Sequence, residues 1–476
     1  MALTKGSGFG VASASEAAAG GTIDIVAEGT VAKGISVILQ SNGKIKTIDA
    51  ITEGWGTSTY AGSGGHAYAC HAGNGRIFVA WRDSSASNGI SGRVGSIDGT
   101  TITWGSKVTF TNYYCTNVTV SVAPSTGHYL VAFTRLSNDY AYYSAGTIGA
   151  SGTTITGGST GSFRNSPSFD KDMAYDSKNN QFFLCMRTYN GIMFYRATAT
   201  SNSSFSSSGT LGSTSSSVLG NWCTVEYDST NERAILSWKQ DNNNKLYVAV
   251  KDTSNNNGGT QYELGLSNQS CAISHDPDSG KTIFVYRDTT SSNLTSYRVG
   301  TVSGTAISFN SAASLLSSNG DTFQNGFTYD SKNKKHYLHI HDGANNNIVR
   351  PYTFDGTTLT ALTTFTAASG PSSLFMNEGQ DTVVYVYAAS TAQVFQPESS
   401  TLTSGVNTNF IGLATADYSD GDTAKITVIG GVSEGHTGLS IGSVYYVSRA
   451  GTLSTTEATT SVRVGTAISS TQILLK

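Results

Sequence analysis

Charge is scarce in this chain. Only 13% of its 476 residues are Asp, Glu, Lys or Arg, and 29 basic against 32 acidic residues leave a net charge of −3. A nucleic-acid partner held by bulk positive charge is therefore not expected. Proline occurs six times, and methionine and tryptophan five times each. No apolar stretch reaches the roughly 18 residues that a membrane-spanning helix needs, so no membrane insertion is expected. Sustained helical periodicity is missing too; Ser13 to Ala19 could form a single turn or short helix. After Met1 the chain has a lysine but no apolar core behind it, from which we expect no cleaved secretory signal and synthesis in a cytoplasm. The five cysteines, Cys70, Cys115, Cys185, Cys223 and Cys271, are odd in number, lie in strand-like runs and lack CxxC spacing. They are predicted to be buried thiols.

Glycine (53) and tyrosine (24) are abundant, together with serine, threonine and asparagine, a vocabulary of strands and turns. Within it one phrase recurs, a polar turn followed by an apolar run. It reads HAGNGRIFVAW from His71, APSTGHYLVAF from Ala123, YDSKNNQFFLCM from Tyr175 and YDSTNERAILSW from Tyr227. It returns as HDPDSGKTIFVY from His275, YDSKNKKHYLHI from Tyr329 and FMNEGQDTVVYV from Phe375. The starts are 52, 52, 52, 48, 54 and 46 residues apart. Such a period marks a β-propeller. Seven copies predict seven blades.

The predicted architecture is all-β: a seven-bladed β-propeller over 49–405, flanked by a small β module formed by the N- and C-terminal segments. Residues 1–21, rich in Gly, Ala and Ser, are expected to form a flexible arm. Residues 22–48 alternate apolar and polar side chains and turn at Asn42-Gly43, which suits a type I′ hairpin. The segment 49–58 lies one repeat before TITW and its neighbours at 101–110, so it is expected to add an outermost strand beyond Ala392–Phe395 and close the ring. Residues 406–476 form short strands between Gly and Asp turns. Gly34 and Gly43 bracket one hairpin, Gly442 and Gly451 another. Because a closed ring brings its ends together, 22–48 and 406–476 are expected to pack as one module into which the propeller is inserted.

The phrases Gly438-Leu439-Ser440, Tyr445-Tyr446-Val447, Gly451-Thr452-Leu453-Ser454-Thr455-Thr456 and Val464-Gly465-Thr466-Ala467-Ile468-Ser469 resemble terminal modules on tail-fibre and related virion proteins of tailed bacteriophages. The resemblance implies a virion adhesin, assembled in the host cytoplasm, with other tail or capsid proteins and a host surface glycan as partners. It also implies a homo-oligomer, with a trimer favoured, although no coiled-coil heptads are visible. The turn Asp276 to Thr282 resembles a degenerate Asp-box of sialidases and other propellers, which lies away from the ligand face.

Asp176, Asp228, Asp276 and Asp330 recur at the turn, where a carboxylate accepts from amides one or two residues on; we assign them a structural role. Ligand chemistry is expected at the opposite end. Aligned on the apolar run, the copies place Arg82, Thr134, Arg187, Lys239, Arg287, His341 and Tyr387 where the second strand ends. A ring of cations there would focus positive potential on an anionic ligand, such as an acidic sugar, a phosphate-bearing lipopolysaccharide core or a teichoic acid. Tyr113 and Tyr114, before the first strand of the second blade, and Trp222, before that of the fourth, could stack on sugar rings. The plainer alternative is that Asp83, Asp288, Asp342 and Asp241 pair with these cations at the surface and that the aromatics pack as ordinary strand residues.

Catalysis finds less support. First-strand carboxylates are chiefly Asp170, Asp172 and Glu226, and Glu226 points away from its neighbour Tyr227, so the two cannot form a sialidase-type pair. His336, His339 and His341 are the one histidine cluster; His339 and His341 share a strand face compatible with a metal but lack a third ligand. We expect no cofactor, no metal site and binding rather than hydrolysis. A glycan depolymerase and a structural virion decoration remain as alternatives.

Overall fold

The computed structural model describes residues 21–476 apart from 41, 49–53, 99, 151, 190, 206–208, 212–219, 241–242, 253–259, 268–270, 320–321, 332, 342–345, 368–372, 378–381, 388–390, 397–409, 448–450, 452 and 456–461. The arm over 1–20, with the candidate turn at Ser13 to Ala19, lies outside them. Among the described residues every regular element is a strand, save one 3-10 turn at Ser84–Ala86. The chain divides into two compact units, Gly54–Pro397 and the joined segments Met1–Glu53 and Glu398–Lys476.

In the longer unit each repeat copy opens one antiparallel sheet. For the Tyr175 copy the innermost strand Ser168–Asp176 enters the turn, Gln181–Thr188 leaves it, Gly191–Thr198 returns and Gly209–Leu211 lies outermost. The other innermost strands are Gly64–His71, Cys115–Ala123, Gly220–Asp228, Cys271–Asp276, Thr322–Asp330 and Ser373–Asn377. Counted in chain order among the described residues, these give a first to a seventh sheet, the sixth and seventh being joined by one parallel bridge, Asn325 to Ser373. Each innermost strand packs against the next, and the last packs against the first. That cyclic order is a β-propeller.

The second strands explain why the ring holds. Each is buried on both faces, and its period-two alternation divides it between two seams. In Arg76–Asp83, Phe78 and Ala80 join Val120, Tyr129 and Val131 of the second sheet. Ile77, Val79 and Trp81 face the other way, onto Val384, Val386 and Ala392 of the seventh. One strand thereby seals the first sheet to both neighbours. The seventh sheet gains its outer strands from the beginning of the unit, since Trp55 pairs with Phe395 and Tyr60 with Thr391.

The shorter unit is built from both ends of the chain. Its first sheet runs Thr22–Val26, Thr423–Thr427, Phe410–Ala414, Ser36–Leu39, Ile45–Thr47, so two N-terminal strands flank two C-terminal ones. The last two strands of that order form a hairpin through Gly43, whose φ of 79° is one that glycine adopts without strain. A second sheet runs Val432–Glu434, Gln472–Leu475, Val462–Ala467, Val444–Val447, Leu453–Ser454. Ile48, Leu413, Tyr445, Val447, Val464 and Ile473 share one core cluster. All five cysteines are free thiols, four buried and Cys70 half-buried.

Candidate functional site

Strand register places the mouth of the propeller. Arg82 lies opposite Gly65, Arg135 opposite Cys115, Thr188 opposite Ser168 and Lys239 opposite Asn221, so second-strand ends and first-strand beginnings share one end of each sheet. The Asp turns close the other end, with Asp176 opposite Gln181 and Asp228 opposite Arg233.

At the mouth the innermost strands do not run straight. Each of the first four has a register shift there: His66 and Ala67 stand opposite Trp81 alone in the first, Asn117 and Val118 opposite Phe133 alone in the second, Phe169 and Asp170 opposite Arg187 alone in the third, and Trp222 is inserted in the fourth. His66, Asn117 and Trp222 have φ of 51° each, in the left-handed region that non-glycine residues seldom enter. Bulges of this kind re-aim side chains and gather beside binding sites. Trp222, expected ahead of the fourth sheet, is thus part of its innermost strand, carried outward by the bulge. The sixth sheet has a longer shift, between Thr322 and Phe327.

The re-aimed rings meet the cations. Arg82 lies 5.8 Å from the ring centre of Tyr114, Arg135 3.4 Å from Tyr113, Arg187 4.8 Å from Phe169 and Lys239 5.7 Å from Trp222. Tyr189 meets Phe169 edge-on at 5.1 Å. Tyr113 is 57% exposed, Tyr189 50% and Trp222 37%, so these rings remain open to a ligand. Arg135 was not among the residues expected here. Alignment on the apolar run had put Thr134 at the mouth, but Thr134 is buried and donates to the Ser168 carbonyl at 2.9 Å, leaving the next residue to supply the cation.

Of the four carboxylates expected to neutralise the ring, two have their partners in their own loops or sheet. Asp83 accepts from Lys107 at 2.7 Å and from Ser85, and Asp288 accepts from the Thr290 amide and hydroxyl in its own turn. Arg82 and Arg135 make no ion pair among the described residues, while Arg187 sits 3.5 Å from Asp170. Asp241 and Asp342 lie outside the described residues. Arg287 and His341 end their strands half-buried, and Tyr387 stacks on Tyr385 at 5.2 Å.

Below the rim, charged residues inside the innermost strands tie sheet to sheet. Asp172 accepts from the Met173 amide and, across the seam, from the Thr224 hydroxyl and Val225 amide at 2.8 and 2.9 Å. Ser373, at the equivalent repeat position, accepts from the Ala69 amide, and Thr328 accepts from the Met376 amide. These bonds satisfy strand-edge amides that face the propeller axis. Lys171 is buried and donates to Thr134 and, at 2.7 Å, to the carbonyl of bulged Phe169. Burial takes its pKa down to about 7 against the opposing pull of Asp170. Burial, then the Asp172 charge, raises Glu226 to about 8.

At the far end each Asp holds its turn. Asp176 accepts from the amides of Lys178 and Asn179 and from the side chains of Asn179 and Gln181; Asp228 accepts from the amides of Thr230 and Asn231. Asp276 accepts from Asp278 and Ser279, and Asp330 from Asn333. The reach is two and three residues onward rather than one or two, as four-residue turns require. His275 adds a contact of 3.2 Å to Asp228. His339 is buried between Tyr385 and Asn347, and no cluster of metal-ligating residues occurs among the described residues.

No family model and no curated protein sequence matches this chain. Among solved structures it is similar to Kuenenia stuttgartiensis hydrazine synthase, with 10% identity over 72% of this chain and 98% of that one at a TM-score of 0.50. The β-propeller domain of Myceliophteria thermophila Cps50 (Swd1) shares 8% identity over 73% and 100% of the two chains, TM-score 0.49. Pseudomonas aeruginosa periplasmic gluconolactonase PpgL shares 11% over 73% and 97%, TM-score 0.45. At such identities the likeness concerns the fold alone.

Proposed function

We propose that this chain is a virion adhesin of a tailed bacteriophage, a tail fibre or related protein, whose seven-bladed propeller recognises an acidic glycan on the host surface. The observation that carries the binding role is the row of cation-bearing aromatic rings at the mouth opposite the Asp turns. An aromatic face takes up the apolar face of a sugar, while a neighbouring Arg or Lys within a few ångströms can pair with its carboxylate or phosphate. Arg82, Arg187, Lys239, Tyr113, Tyr114 and Trp222 supply such groups, joined by Arg135. Arg287, His341 and Tyr387 belong to the same face of the remaining sheets. The virion setting is supported by the resemblance of the C-terminal phrases, and the shorter unit is then the attachment module of a homo-oligomer.

Binding of the purified chain to immobilised acidic and neutral glycans tests this. Acidic glycans should be retained, and Arg135→Ala with Arg187→Ala should release them. Retention of neutral glycans alone would sink the reading, and retention of none would favour a structural decoration. One observation favours hydrolysis as a second reading: Glu226, at about 8, keeps its proton at neutral pH as a general acid would. Release of reducing ends from a bound polysaccharide, lost in Glu226→Gln, would establish it.

A further inference from the structure

The mouth is not uniform around the ring. Rings paired with cations occur in the second, third and fourth sheets, exposed at Tyr113, Tyr114 and Trp222 and half-buried at Phe169, with Arg82 of the first sheet reaching Tyr114 of the second. By contrast, beyond Arg287, His341 and Tyr387 at the second-strand ends, the last three copies have no aromatic and no basic residue at 289–293, 342–346 and 388–390. The same is true of 267–270 and 368–372, which precede the innermost strands of the fifth and seventh sheets.

We propose that the ligand is an extended acidic polysaccharide lying along an arc over the first four sheets, with several consecutive sugars bound at once, and that the fifth to seventh sheets take no part. This rests on the reading that the face binds an acidic glycan. Three stations line the arc: Tyr113 with Tyr114, Phe169 with Tyr189, and Trp222. Tyr113 is covered on one side by Arg135 at 3.4 Å, so its exposure belongs to the other side and its edge, and Tyr189 is exposed beside the Arg187–Phe169 pair. A sugar stacked on that open side leaves its acidic group within reach of the next cation along.

The stations are continuous across the seams. Arg82 with Tyr114 spans the first seam, Lys171 with Thr134 the second, and the Cys223 thiol, 3.5 Å from the Asp170 carbonyl, the third. Lys171 also fixes the bulge that presents Phe169, since it holds that residue's own carbonyl. A single small pocket would need these groups to converge on one point. Spread over consecutive sheets, they favour a chain.

Size ladders from one to six residues of α2,8-linked sialic acid and of galacturonic acid test this, with poly(glycerol phosphate) and neutral maltooligosaccharides of matched length as controls. Affinity should rise roughly threefold to tenfold for each station gained, the range expected of one aromatic or cation–π contact. Tyr113→Ala and Trp222→Asn, the latter chosen because Asn tolerates positive φ, should each lower hexamer affinity about tenfold and monomer affinity little. Thr289→Ala, just past the second strand of the fifth sheet, should leave both unchanged, with melting curves confirming that every variant is folded.

A monomer that binds as tightly as the hexamer would overturn the arc and leave acidic-glycan binding standing. So would a Thr289→Ala loss equal to that of Trp222→Asn, which indicates a full ring. Poly(glycerol phosphate) binding as tightly as the acidic sugars would overturn ring stacking. Failure of every acidic ladder removes the parent reading, and the arc with it.

Discussion

The two units expose different kinds of apolar surface. Among the described residues of the unit built from both chain ends, the large apolar side chains in solvent are Val26, Ile35, Leu39, Ile429, Val432, Ile441 and Ile468, all aliphatic, with Ile429 at 76% and Ile441 at 71%. In the propeller they are Tyr60, Tyr113, Tyr114, Tyr189 and Trp222, with Leu136 and Leu362 as the aliphatic members. Aliphatic groups have no polar edge and gain from burial against another protein; aromatic rings beside cations suit a polar ligand with flat faces. Under the proposed function the first surface would serve attachment and the second recognition.

The largest expected effect concerns whether the units unfold separately. All five tryptophans, Trp55, Trp81, Trp104, Trp222 and Trp238, belong to the propeller, so tryptophan fluorescence follows that unit alone. Trp81 is fully buried where the first and seventh sheets meet. Trp81→Ala should cost about 3–5 kcal/mol and lower the fluorescence transition, while a calorimetric transition of the shorter unit stays in place. Movement of both transitions together would show one cooperative body and weaken the division of labour.

Acid should separate the units next. His275, His336 and His339 are buried in the propeller with pKa values below 6.5, His339 near 3, burial being the main cause in each. In the shorter unit the one histidine, His436, is half-buried, with burial again the main cause of a lowered pKa. Asp228 and Asp276 face His275, Asp276 faces His336, and His341 opposes protonation of His339. Each histidine takes up its proton at lower pH in the folded state than in the unfolded chain, so stability is lost as pH falls below 6.5. The slope is at most about 1.4 kcal/mol per pH unit for each. Asp276, held near 2, adds its own loss only below about pH 4. Denaturant titrations at pH 7 and pH 5 should show the propeller weakening more, and His339→Gln should flatten its slope. A parallel loss in both units would contradict this.

The surfaces can also be exchanged as functions. Ile429→Ser and Ile441→Ser should reduce self-association in sedimentation while changing glycan affinity less than about twofold. Tyr113→Ala should do the reverse, lowering affinity about tenfold with sedimentation unchanged, the order of one lost ring contact. Reduced self-association in Tyr113→Ala alone would reverse the assignment.

How much of this was legible in the chain depends on the range of the interaction. The turn copies are local, each needing an Asp for the amides that follow and an apolar run for the next strand, and so Tyr175 to Met186 displays its fold openly. The mouth is less legible because bulges change the count of residues along a strand. Asn117 is a weak sign of positive φ, but nothing in the residue type of Trp222 or His66 announces it, and Arg135 was displaced from view by Thr134. Lys171, and the role of Asp172, named only as a first-strand carboxylate, were hidden for another reason: a charged pair in a strand reads as exposed surface until neighbouring strands supply Thr134, Thr224 and the Val225 amide. The pairing of Thr22–Val26 with Thr423–Thr427 spans almost the whole chain, and no local pattern specifies it.

The smallest expected effect lies at the Asp-turn end, which repeats most faithfully and yet has least to do with ligand. There Lys178 of the third sheet pairs with Glu232 of the fourth, both side chains well exposed at 56% and 40%. Solvent screens such a pair, and ordering two long side chains offsets most of the attraction, so Lys178→Ala should change stability by roughly 0.5 kcal/mol or less and glycan affinity not at all. The turn itself is held by Asp176 through main-chain amides and survives the substitution. A loss of glycan affinity in this variant would place part of the ligand on the wrong end of the propeller. It would also undo the contrast between a repeated structural end and a varied binding end.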